Sequence, residues 1–76
     1  MWRKKTLGDL RPGQSGTVLR VGAQGAIKRK LVDMGITPGV KIVVRKKAPL
    51  GDPIEVELWG FALLLRRDDA VKIEME

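Results

Sequence analysis

The chain predicts a mainly β fold, a small barrel of about five short antiparallel strands with one short α-helix inserted after the first strand. Three observations point there. Short apolar segments with period-two alternation recur along the chain, each bounded by glycine or proline turns. Between Ala26 and Met34 the period lengthens: Ile27, Leu31 and Met34 stand at i, i+4 and i+7, one stripe of a helix. The third is size: 76 residues without a cysteine cannot rely on disulfides, and a core this small gains most from closing a sheet on itself, which also hides strand edges.

The elements follow in order. Arg11-Pro12-Gly13-Gln14 is a turn in which proline pre-sets φ and glycine accepts a positive φ, the type II pattern. Strand one spans Ser15 to Val21. Thr17, Leu19 and Val21 share one face and Val18 and Arg20 the other, so apolar groups on both faces predict a bulge or a two-sided contact. Gly22 and Gly25 lead into the helix, whose other sides carry Lys28, Arg29 and Lys30. Gly35 stands where a left-handed C′ residue belongs, and Pro38 keeps the helix from resuming.

A second Pro-Gly turn, Thr37 to Val40, opens strand two, Val40 to Lys46. Val40, Ile42 and Val44 should point inward, and Lys41, Val43 and Arg45 outward. The loop Ala48 to Pro53 carries two prolines and is stiff. Strand three alternates cleanly, with Ile54, Val56 and Leu58 inward and Glu55, Glu57 and Trp59 outward, until Gly60 breaks it. Strand four, Phe61 to Leu65, is expected to bury Phe61, Leu63 and Leu65 and to turn Ala62 and Leu64 away. Arg66 to Asp69 reads as a tight polar turn. Strand five, Ala70 to Met75, alternates Val71, Ile73 and Met75 with Lys72 and Glu74.

Composition narrows the chemistry. With no histidine, cysteine or tyrosine, the chain lacks the usual general base, the reactive thiol and the preferred zinc ligands. No nucleophile motif surrounds Ser15, and Gly22, Gly25 and Lys30 lack the ending of a phosphate-binding loop. No enzyme activity and no cofactor are expected. Asp52, Glu55 and Glu57 are the nearest thing to a hard-cation set, without a calcium-loop pattern. The net charge is +6: residues 1–47 hold 12 Lys/Arg against 2 acids, residues 48–76 hold 3 against 7. This is either a basic patch for an acidic partner or a well-solvated surface.

Nucleic-acid binding would want aromatic platforms beside the basic groups. Only Trp2, Trp59 and Phe61 are aromatic. Lys28-Arg29-Lys30 and Arg45-Lys46-Lys47 could still touch phosphates nonspecifically. Residues 1–5 are expected to form a mobile basic tail on a single domain spanning 1–76. No apolar run is long enough to span a bilayer or act as a secretory signal, so a soluble cytoplasmic protein without membrane insertion is expected. Trp59, facing outward, suits a protein-binding anchor; equally, it could cover the barrel rim. Ala62, Leu64 and Val43 could add an apolar patch beside it.

Certain motifs resemble the ferrous iron transport protein A (FeoA) family. They are the helix exit (Leu31, Met34, Gly35, Pro38, Gly39), the loop Ala48 to Ile54, the ending with Leu63, Leu65, Arg66, Ala70 and Ile73, and the early Leu7, Leu10, Pro12 and Gly13. The resemblance implies an SH3-like barrel and a small cytosolic accessory of ferrous iron uptake. Its implied partner is the cytosolic region, with a G-domain, of a FeoB-type permease. The partner-binding candidates are Lys28, Arg29, Lys30, Leu50, Gly51, Asp52, Pro53 and Trp59. The same module occurs at the C-terminus of iron-dependent repressors, so a metal-responsive regulator or transition-metal-binding module is the alternative. A weak nonspecific nucleic-acid binder is a further one. A homo-oligomer is compatible with all three.

Overall fold

A computed structural model describes residues 4–76. The readings on Trp2, and on the first three residues of the expected tail, lie outside the described residues. The strands are β1 (Ser15–Val21), β2 (Lys41–Lys47), β3 (Ile54–Leu58), β4 (Phe61–Leu65) and β5 (Ile73–Met75). Helix α1 (Gly25–Asp33) lies between β1 and β2, and a short helix α2 (Arg67–Ala70) precedes β5. Single 3-10 turns occupy Leu7–Asp9 and Pro49–Gly51.

All neighbours are antiparallel, in the order β4-β3-β2-β1-β5. This is the expected mainly β arrangement of five short antiparallel strands. Among the described residues no ladder joins β4 to β5, and the two halves meet through side chains. Val18, Ile42, Val44, Ile54, Val56 and Ile73 fill the interior with Leu7, Leu31 and Ile36, all without solvent exposure. The alternation read for β2 and β3 is present in the burial pattern. The mixed faces of β1 have the expected cause: its register with β5 shifts between Val18 and Arg20, and this bulge turns Leu19 out, 52% exposed.

Helix α1 ends as the glycine implied. Gly35 has φ +94°, its N–H donates to the Val32 carbonyl at 2.9 Å, and the Ile36 N–H donates to the Leu31 carbonyl at 3.0 Å. These are the two bonds of a Schellman motif. They put Leu31 and Ile36 side by side in the core. Ile27 departs from the expected stripe at 39% exposure, because α1 meets the core only through its last turn.

Two further expectations are corrected. Arg66 to Asp69 is not a tight turn: Ala70 and Val71 donate to the carbonyls of Arg66 and Arg67 at 3.0 Å, forming α2 and shortening the last strand to Ile73–Met75. The start of α2 is held from afar, since the Arg67 N–H donates to Asp52 Oδ1 at 3.1 Å. Phe61 is not core but 71% exposed. It begins an edge strand beside the β3–β4 turn, whereas Leu58, opposite it on the interior strand β3, is 3% exposed. Ahead of the first 3-10 turn, the Lys5 carbonyl accepts the Met75 N–H at 2.9 Å, and Thr6 bridges Glu74. Among the described residues, no helix is long and apolar enough to cross a membrane.

Candidate docking surface

The outer side of β2, β3 and β4 carries two apolar prominences, one at each end. At one end β3 and β4 are joined by the two-residue turn Trp59–Gly60, with φ of +54° and +80°. Positive φ at both positions is the type I′ pattern, which normally takes Asn-Gly. A bulky side chain held there costs roughly 1–2 kcal/mol. Trp59 is nonetheless 73% exposed. Its indole rests against the exit of α1: a Cβ built on Gly35 would lie 3.6 Å from Trp59 Cδ1 and 3.3 Å from Leu58 Cδ1. A hollow of about 440 Å³ opens beside it, bounded by Gly39, Lys41, Val43 and Glu57.

At the other end lies the proline loop. Gly51 N–H donates to the Ala48 carbonyl at 2.8 Å, and Ala48 N–H to the Pro53 carbonyl at 3.0 Å. These bonds close the loop tightly and hold Leu50 at φ +71° with its side chain 97% exposed. Leu50 and Trp59 are the only non-glycine residues at positive φ among those described, and both hold large apolar groups in water. Strain of this kind persists only where the surroundings impose it, and it gathers at functional positions. A second hollow, about 310 Å³, lies between Ala48, Pro49, Pro53 and Leu64.

Between the two ends the surface is an ion-pair ladder. Arg45 pairs with Glu57, and Lys46 Nζ lies 3.9 Å from Glu55. The glutamates are thereby matched by cross-strand cations rather than grouped. No cluster of three or more His, Cys, Asp or Glu side chains occurs among the described residues.

The structure separates residues that sequence reasoning had grouped. Leu50 to Pro53 and Trp59 sit at opposite ends of β3, roughly 20 Å apart at about 3.3 Å per residue. Asp52 is engaged in holding the Arg67 N–H. Lys28, Arg29 and Lys30 are all exposed on α1. Lys28 borders a different hollow, with Arg20, Gln24 and Pro38. Phe61 was missed as a surface residue, although its place beside the β3–β4 turn was a usable signal. Val43, expected outward, is half-buried; Leu64 is exposed as expected.

A five-stranded antiparallel sheet in this order, with a short helix inserted after its first strand, defines a small SH3-like domain. The FeoA domain model matches residues 5–76, and the chain belongs to that family. A curated relative from Porphyromonas gingivalis, an Fe(2+) transport protein A/Fe(2+) transporter FeoB fusion protein, is 36% identical over 70 residues. That match covers 92% of this chain but 8% of the fusion. The solution structure of iron(II) transport protein A from Clostridium thermocellum superposes with TM-score 0.89 at 38% identity, over 93% of this chain and 44% of the other. A zinc-complexed FeoA from Stenotrophomonas maltophilia, described as a procaryotic SH3 domain protein, gives TM-score 0.82 at 28% identity, over 93% and 88%.

Proposed function

We propose that this chain is a non-enzymatic accessory of ferrous iron uptake that docks onto the cytosolic region of a FeoB-type permease, and so works in the cytoplasm. The observation behind this is the pair Leu50 and Trp59, strained and exposed on tight turns. Side chains fixed in this way lose little conformational freedom on binding, so more of their burial appears as affinity. Tryptophan is also the residue type most often found to dominate an interface. The relative in which a FeoA part and a FeoB part share one polypeptide supports the choice of partner, because linkage raises the effective concentration of two modules that meet.

The basic side of α1 has a different part in this reading. Lys28, Arg29 and Lys30 lie off the apolar surface and would act as a rim. Such charges mainly raise the rate of encounter with an acidic partner, in a salt-dependent way.

Zinc in the Stenotrophomonas relative motivates a transition-metal reading. It is the weaker one here. Zinc sites are built from thiolates, imidazoles and grouped carboxylates. This chain has no Cys or His, Glu55 and Glu57 face Lys46 and Arg45, and Glu74 Oε2 lies 2.6 Å from Arg20 Nε.

Calorimetric titration of the permease's cytosolic region into this chain tests the docking reading. Saturable heat at micromolar concentrations is expected. No heat at high micromolar concentrations, with both proteins folded, overturns it.

A further inference from the structure

The two edges of the sheet are treated differently. The outer side of β5 is covered by the N-terminal segment, through the Met75–Lys5 hydrogen bond and the Thr6–Glu74 bridge. The outer side of β4 has no such cover among the described residues, since β4 pairs with β3 alone. Because Trp59–Gly60 is a two-residue turn, Leu58 and Phe61 close the hairpin as a hydrogen-bonded pair. By alternation Phe61, Leu63 and Leu65 direct their amides at β3, and Ala62 and Leu64 direct theirs outward. Natural edges are blunted by charge, proline or a bulge. The run Gly60 to Leu65 carries no charge and no proline, and its register with β3 is unbroken.

We propose that this edge takes a second copy of the same chain, β4 against β4, antiparallel about Leu63. In that register Ala62 lies opposite Leu64 of the second copy, and the outward amides of both exchange hydrogen bonds. Phe61 meets Leu65 of the second copy. The paired stretch ends where the chain leaves the edge, at the Trp59–Gly60 turn on one side and at the start of α2 on the other, so the turn of one copy lies beside the start of α2 of the second. No like charges stand opposite one another, so the edge is complementary to itself, as a two-fold contact requires.

The area sets the strength. Trp59, Phe61 and Leu64 are 73%, 71% and 65% exposed. With aromatics offering about 150–250 Å² each, the pair of edges covers less than the roughly 1,000 Å² of a durable interface. The dimer is therefore weak and populated at high protein concentration. Each copy carries +6. Salt screens that repulsion, so association strengthens as ionic strength rises. Docking onto an acidic partner has the opposite dependence. The inference does not rest on the docking reading, although Trp59 and Leu64 belong to both contacts and make them alternatives.

Sedimentation equilibrium of the full chain, from micromolar to millimolar at low and high salt, is the test. A monomer–dimer equilibrium that tightens with salt is expected, with slowed exchange of the Ala62 and Leu64 amides in the concentrated sample. Leu64→Lys places a charge on an already exposed outward position, and Ala62→Pro removes one outward N–H. Both should leave the circular dichroism spectrum unchanged and the chain monomeric throughout. A wild-type chain that stays monomeric at millimolar concentration and high salt overturns the proposal. So does a dimer that survives Leu64→Lys in a folded chain, because its contact is then elsewhere.

Discussion

Replacing Trp59 with asparagine lowers affinity for the permease's cytosolic region by about thirty-fold or more, the roughly 2 kcal/mol typical of a dominant interface residue. The same change leaves the fold about as stable as before. At φ +54° the tryptophan carries the cost of the left-handed region, which asparagine tolerates far better. What asparagine gives up is the partial packing of the indole on Gly35 and Leu58. The two contributions are of similar size and opposite sign. Leu50→Asn is the cleaner companion: at 97% exposure it forfeits no packing, so relief of strain should raise stability by up to ~1 kcal/mol. For a domain of this size that is a rise in Tm of about 4–8 °C. Thermal melts beside calorimetric binding curves separate the two effects. If Trp59→Asn melts several degrees lower and still binds, the indole is rim packing and its docking role is lost.

Leu31→Ala acts on the fold instead, and should cost about 2–5 kcal/mol. Leu31 is fully buried, is the one residue of α1 wholly inside, and lends its carbonyl to the Ile36 N–H that ends the helix. Small domains have about 5–15 kcal/mol in total, so a fall in Tm of at least ~10 °C is expected. Ile27→Ala, one turn earlier and 39% exposed, should cost well under half as much. Equal effects of the two substitutions in chemical denaturation would mean that α1 docks along its whole length, contrary to the packing described.

These residues also show where sequence reasoning reaches and where it stops. The alternation in β2 and β3 was legible because both strands are interior to the sheet, where an inward side chain is always covered. The exit of α1 was legible because a left-handed position ending in two backbone bonds strongly favours glycine. β4 was only half legible. Alternation assigns Phe61 its side correctly, but whether that side is covered depends on the strand's place in the sheet, which is an edge. Helix α2 was not legible at all: Arg67 to Ala70 has no apolar period, and its start is held by Asp52, 15 residues away. The same non-locality divides the surface. Nothing in the order of the chain says that the proline loop and Trp59 lie at opposite ends of β3. Nor does it say that Lys28 to Lys30 lie away from the loop. The exposure of Trp59 followed from alternation, but its strain did not, because Trp-Gly is not a pair from which a type I′ turn is ordinarily read.

The most direct test of the docking surface is an NMR titration of the ¹⁵N-labelled chain with the permease's cytosolic region. The docking account predicts that shifts concentrate at the Trp59 indole Nε1–H and at the amides of Gly39, Leu50, Gly51 and Leu64. β5 and the 3-10 turn Leu7–Asp9 should remain still. Shifts confined to α1 and β5, or a fully folded chain whose spectrum does not move at saturating partner, would contradict it.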